Sequence, residues 1–208
     1  MGADRITTNM QDAQYDSPGA LVANPSTGLL AVVTQGGLVT AATRLLNVAQ
    51  QTALTAITTA QTLLSKAMPA GSLNVAGRTL RVRGALIYST TIANVATITI
   101  ALKLGSVTLC TITTAATNTA ASTNLPIQFD FTLTVAATGA AATIQSHGTV
   151  SANIGTAAAG AITVYADTNT AVSSAVDLTI AETLAVTIAA SAAVPSAQLL
   201  SASVDLIA

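Results

Sequence analysis

The chain has 208 residues, with seven Lys and Arg, eight Asp and Glu, one His and one Cys, for a net charge of -1. Charged residues make up 7% and aromatics 2%, against roughly 25% charged in an ordinary soluble domain. Few side chains are left for acid–base or metal chemistry, the charge supplies no field to draw in nucleic acid or an anionic membrane, and one cysteine excludes an intrachain disulfide.

A chain of this length buries a core as one large β domain, or as one domain plus an arm. The mean hydropathy of +0.64 would suit a membrane protein. Thr and Ser nevertheless interrupt every apolar run short of the roughly 18 residues a spanning helix needs. Met1-Gly2-Ala3-Asp4-Arg5 leads into polar residues, so no signal peptide is expected. Ile6 stands where a myristoylation motif needs Ser or Thr. Lys and Glu normally keep proteins soluble and blunt exposed sheet edges. Their scarcity predicts an oligomer whose neutral surface other subunits cover.

Residues 1 to about 35 contain Asp4, Arg5, Asp12, Asp16, Pro18, Gly19, Pro25 and Gly28 with little periodicity, and read as an extended or irregular arm. Gly36-Gly37 marks a break. Residues 38–50 fit a short helix or an irregular strand, which puts a domain boundary at 50/51: an assembly arm over 1–50 and a β domain over 51–208. Residues 61–68 read as a strand that ends at the turn Pro69-Ala70-Gly71. In 78–88, Leu80, Val82, Leu86 and Tyr88 share one face, with Thr79, Arg81, Arg83 and Ile87 opposite. In 95–104, Ile98, Ile100, Leu102 and Leu104 share a face, and Gly105-Ser106 connects them to 107–113 as a hairpin.

The clearest alternation is in 126–135. Ile127, Phe129, Phe131, Leu133 and Val135 point one way, which places both phenylalanines of the chain at the centre of the core. Further strands are expected at 141–151, 160–166, 175–181, 183–190 and 197–207, with loops at 114–124 and 152–160. Many short strands separated by turns indicate an antiparallel sandwich or barrel.

The run QTLLSKAMPAGSLNVAGRTLRVRGALIYST (61–90), followed by TITIALKLGSVTLCTI (97–112), resembles a jelly-roll domain of tailed-bacteriophage virion proteins. PIQFDFTLTVAATGAAATIQSHGTV (126–150) and AVDLTIAETLAVTIAAS (175–191) fit the same pattern. The resemblance covers about 60–207. Its signatures are turns and strands rather than a catalytic fingerprint. It implies an all-β, antiparallel jelly-roll β-sandwich in a virion, often trimeric, on capsid surfaces or in tail and fibre parts.

Constellations with chemical potential are sparse. Asp177 and Glu182 would have to face each other across a cleft to act as a glycosidase pair, and five residues along one strand do not place them so. His147 falls on the polar side of its strand with Thr143, Gln145 and Thr149, and no nucleophile turn accompanies it. Cys110 reads as a small buried hydrophobe. Asp167-Thr168-Asn169 resembles the start of a calcium loop but lacks the glycine and terminal Glu at the required spacing. Lys66, Arg78, Arg81 and Arg83 are four of the seven basic residues and are the candidate assembly contacts, facing an acidic partner surface. No aromatic platform accompanies them, which argues against nucleic acid.

The expected function is therefore structural: a capsid decoration or cement protein of a tailed bacteriophage. It is expected to self-associate, as a homotrimer by the resemblance, and to hold the major capsid protein or other virion proteins through its arm. No catalytic residue, cofactor, metal, nucleic acid or membrane partner is expected. The alternative is a tail, fibre or baseplate component that binds a receptor or carbohydrate. Sugar sites usually stack on exposed aromatics, and Tyr15, Tyr88 and Tyr165 are the candidates. An outer-membrane barrel lacks its aromatic girdles here.

Overall fold

The computed structural model describes residues 21–23, 30–34, 37–40, 43–55, 57–90, 95–117, 121–154, 162–167, 175–192 and 196–207. Every regular element among them is a strand. The chain divides into a unit over 1–43 with 207–208 and a larger unit over Arg44–Leu206.

The first unit carries β1 (Leu21–Ala23), β2 (Leu30–Thr34) and β3 (Gly37–Thr40), an antiparallel three-stranded sheet in that order. The sequence reading leaves 1–35 irregular, because LVA and LAVVT are too short to show a period. Their Val and Leu content nonetheless suits strands.

The larger unit is a sandwich of two sheets. Its strands are β4 (Thr43–Val48), β5 (Leu54–Thr55), β6 (Gln61–Met68), β7 (Thr79–Thr90), β8 (Ile98–Leu104), β9 (Val107–Thr113), β10 (Ser122–Ala137), β11 (Thr143–Ala152), β12 (Thr163–Ala166), β13 (Glu182–Ala190) and β14 (Ser196–Ile207). One sheet runs β12-β11-β10-β7-β14-β4, with β5 pairing β14; the other runs β6-β13-β8-β9.

Four pairings nest inside one another: β4 with β14, β6 with β13, β7 with β10, and β8 with β9. The outermost and innermost strands of this nested hairpin alternate between sheets, which is the wrapping that makes a jelly roll. β11 and β12 extend the larger sheet beyond β10. The expected jelly-roll β-sandwich is the fold that forms.

Alternation builds the core. Leu80, Val82, Leu86 and Tyr88 of β7 and Ile127, Phe129, Phe131, Leu133 and Val135 of β10 face Ile98, Ile100, Leu102 and Leu104 of β8 and Leu184, Val186 and Ile188 of β13, all buried. Each such side chain withdrawn from water contributes about 1.5–3 kcal/mol. The two phenylalanines lie opposite glycines in register: Phe129 against Gly84 and Phe131 against Gly148. A β-carbon on Gly84 would stand 2.7 Å from Cε1 of Phe129 and 3.0 Å from the Ser201 carbonyl oxygen. The glycines are what allow the rings to lie across neighbouring strands. Tyr88 is fully buried and its hydroxyl donates to the Asn153 carbonyl at 2.7 Å.

Three elements differ from the sequence reading. Residues 38–50 contain most of β3 and all of β4, and no helix among the described residues. The expected strand 175–181 reduces to one bridge, Val176 to Ala142. There the Asp177 carboxylate accepts the Thr179 N–H at 2.9 Å and the Thr179 hydroxyl at 2.5 Å, so the side chain closes a turn that competes with the strand. The expected loop 114–124 gives its last three residues to β10. Its companion at 152–160 lies outside the described residues from 155 onward.

Candidate binding groove

Directly opposed residues in an antiparallel sheet share a face. The registers of the larger sheet therefore lay its outward side chains in straight rows across the strands. Arg83 of β7, Asp130 of β10 and Thr149 of β11 form one row; Ala85, Gln128 and Ser151 form the next. Between the rows the alternate residues, Gly84 and Phe129, turn inward and leave their backbone as a floor. Ser201, Ala202 and Ser203 of β14 and Arg44 and Asn47 of β4 continue the feature. The result is a groove of about 510 Å³ on the outside of the larger sheet. It crosses five strands, a span of roughly 19 Å at about 4.8 Å per strand.

A change of parity in β14 shapes this floor. Ala197 and Leu199 are buried, as are Ala202 and Val204, while Leu200 and Ser201 are both exposed. One extra residue at that point is the pattern of a β-bulge. It moves Ser203 and Asp205 to the outer face.

Asp205 then becomes the fixed point of the charged end. Its side chain is 10% exposed. Oδ1 accepts from Nε of Arg44 at 3.1 Å, and Oδ2 accepts from Nη2 of Arg83 at 3.3 Å and from the Ser203 hydroxyl at 3.1 Å. Burial pushes its carboxyl up, but the hydrogen bonds from Arg44, Arg83 and Ser203 outweigh that and hold it below the usual carboxylate range. Arg81 is engaged differently. It chelates Asp130 through Nε and Nη2, at 2.9 and 2.5 Å, as a two-point pair.

The four basic residues singled out from the sequence do not form one patch. Arg81 and Arg83 share the outer face of the larger sheet, as their spacing predicts, and each is paired with an acid. Arg78 precedes β7 and its Nη1 donates to the Ser72 carbonyl, a turn contact. Lys66 lies on edge strand β6 of the other sheet, opposite Leu184 and in line with Leu64 and Met68. A lysine at an inward position of an edge strand guards that edge against pairing.

The remaining candidates fall elsewhere. His147 is exposed on β11, opposite Thr132. Cys110 is buried, and its thiol also donates to Asp167 at 3.0 Å; burial, then that bond, pushes the thiol up. Glu182 covers Gly105 at the β8–β9 turn, away from the Asp177 turn. Thr168 and Asn169 lie outside the described residues. Among the described residues, no three His, Cys, Asp or Glu gather to hold a metal ion. Of the tyrosines proposed as sugar platforms, Tyr88 is core, the Tyr165 hydroxyl is buried, and Tyr15 lies outside the described residues.

No family model and no curated protein matches the sequence. Among solved structures the chain is similar to the CBM2 module of the evolved Dit of Lactobacillus casei BL23 phage J-1, with 10% identity over 69% of each chain and a TM-score of 0.30. A likeness of that size says nothing about what this chain does.

Proposed function

We propose that the chain is a structural, non-catalytic module of a bacteriophage virion that docks an extended saccharide of the host surface in the groove, as part of the tail, fibre or baseplate. The groove carries this reading. It is long and open, its floor is small residues and backbone, and its walls carry both donors and acceptors: Arg83, Asn47, Gln128, Asp130, Thr149 and Ser151. Such a lining suits a polymer of hydroxyl groups, which offers a donor and an acceptor at each position. With no exposed aromatic among its described lining residues, affinity comes from hydrogen bonds along its length. The virion part of the proposal comes from the turn and strand signatures over 60–207.

The test is a bacterial-glycan array probed with the whole chain and with Ala85→Phe. That ring would fill the groove between Arg83 and Gln128 and leave the core untouched. Saccharide binding by the parent chain and its loss in the variant are expected. Binding that survives the variant, or no binding by the parent, defeats the proposal.

A second reading, a capsid cement protein acting as a self-associated oligomer (a homotrimer by the resemblance), is favoured by the outer face of the smaller sheet. That face presents Thr99, Thr111, Thr113, Thr183 and Thr187, with Lys103 as the one charge among the described residues, and so lacks the charges that discourage association. Immunogold labelling of virions separates the two: label at the tail tip favours docking, and label over the head favours cement.

A further inference from the structure

The geometry points to an anionic saccharide as the ligand, with its carboxylate or phosphodiester seated on Arg44 and Arg83 at the β4 end of the groove. This inference rests on the saccharide reading above and specifies its chemistry. Three charged pairs face the outer side of the larger sheet, and they do not balance equally. Arg81 meets Asp130 two-point, so one cation and one anion cancel there. Arg44 and Arg83 approach Asp205 from either side of β14 and share that one carboxylate, which leaves a surplus of one positive charge.

The surplus sits where a ligand can reach it. Asp205 is 10% exposed, whereas the Arg44 and Arg83 side chains are 57% and 47% exposed. Each guanidinium carries five N–H donors. Arg44 gives Nε and Arg83 gives Nη2 to Asp205, and among the described residues no other acceptor takes a hydrogen bond from either fork. Asp205 thus holds two planar forks together, already oriented, without neutralising both. That preorganisation matches a second, external anion, because guanidinium forks bind carboxylate and phosphate oxygens two at a time. The opposite end, with Gln128, Thr149, Ser151 and the Asp130 carboxylate that Arg81 already neutralises, carries no net charge and suits the neutral part of a sugar chain.

The experiment is calorimetric titration of the whole chain with three probes: tetragalacturonate, poly(glycerol phosphate) and neutral cellotetraose. One or both anionic probes are expected to bind roughly tenfold tighter than the neutral one, a preference that weakens as salt rises. Whichever anion is preferred identifies carboxylate or phosphate as the source. In the double variant Arg44→Gln, Arg83→Gln the preference is expected to disappear while the weak neutral binding persists. If that variant unfolds, Arg44→Gln alone, at the more exposed side chain, is expected to reduce the preference. Equal binding of all three probes overturns the charge inference and leaves the groove reading standing. A preference that survives the variants overturns it too, as does equally tight binding of polyglutamate, titrated alongside as an anionic control that is not a saccharide. Failure of every saccharide defeats both.

Discussion

The two outer faces of the sandwich are built from the same kind of strand, yet they differ in almost every outward residue that carries charge. The larger sheet displays Arg44, Arg81, Arg83, Asp130 and Asp205 around a groove. The outer face of the smaller sheet displays Thr, Ala and Ser, with Lys103 as its one outward charge among the described residues. Inward positions on both sheets are mostly Leu, Ile, Val and Phe and serve one core. The larger sheet also contains the strand-interior glycines, Gly84 and Gly148, and the bulge in β14, whereas β6, β8, β9 and β13 contain no glycine. Core formation is thus shared between the sheets. The irregularities that open a groove and the charges that dress it are concentrated on one.

The sharpest way to break that difference is to remove a glycine. Gly84→Ala places a methyl against the Phe129 ring and 3.0 Å from the Ser201 carbonyl oxygen. One obstacle is a buried ring and the other is backbone, so neither yields easily. Unfolding in urea is expected to show a loss of about 2–3 kcal/mol, in the range of core overpacking. A neutral result would mean that the ring position does not depend on the glycine.

The next effect in size comes from Asp205→Asn, which leaves Arg44 and Arg83 without their shared carboxylate. Hydrogen bonds to charged groups contribute about 1.5–3 kcal/mol when buried, but both arginines are half exposed, so a loss of about 1–2 kcal/mol is expected. The pH dependence has a definite sign. The folded carboxyl is held below its ordinary value. Its contribution is therefore present above the unfolded value of about 3.9 and lost as pH falls through the folded one. Urea midpoints at neutral pH and near pH 3 should differ less in the variant than in the parent. An equal difference would show that Asp205 is not held charged by the arginines.

How much of this was legible in the sequence depends on whether a strand keeps strict alternation. β7, β8 and β10 keep it over their cores, and the inward sets read from 78–88, 95–104 and 126–135 are the buried ones. β14 does not. Counted straight from Leu199, Asp205 would point inward; the extra residue at Leu200–Ser201 turns it out to meet two arginines. Nothing local in LLSASVDLI announces that slip, so the charged end of the groove was invisible to pattern reading. The placement of Lys66, apart from Arg81 and Arg83, was hidden for a related reason. Two adjacent inward leucines, Leu63 and Leu64, accompany a register shift in β6. Register, set by pairing across the sheet, also created the rows Arg83–Asp130–Thr149 and Ala85–Gln128–Ser151, which join positions far apart in the chain. The turn at Gly105-Ser106 was readable because its chemistry is local: Gly105 has φ +57°, and glycine leads the two-residue turn between paired Leu104 and Val107.

The smallest effect on stability, and the one that tests the plain face, is expected from Thr187→Lys. Thr187 lies outward on β13, a central strand, opposite Thr62 on one side and Ala101 on the other. A lysine there buries nothing new and breaks no charged pair, so unfolding should change by no more than ~0.5 kcal/mol. Its consequence lies in association. A face that is neutral because other subunits cover it cannot take a lysine without leaving that charge desolvated in the contact. Sedimentation of the parent chain and the variant at matched concentration reads this directly. An assembly that falls apart in Thr187→Lys, with unfolding unchanged, assigns the smaller sheet to subunit contact and leaves the groove on the larger sheet free to meet a ligand. An assembly that persists moves the contact elsewhere, and the Thr and Ala of that face would then be solvent-facing residues that hydrate through their hydroxyl groups.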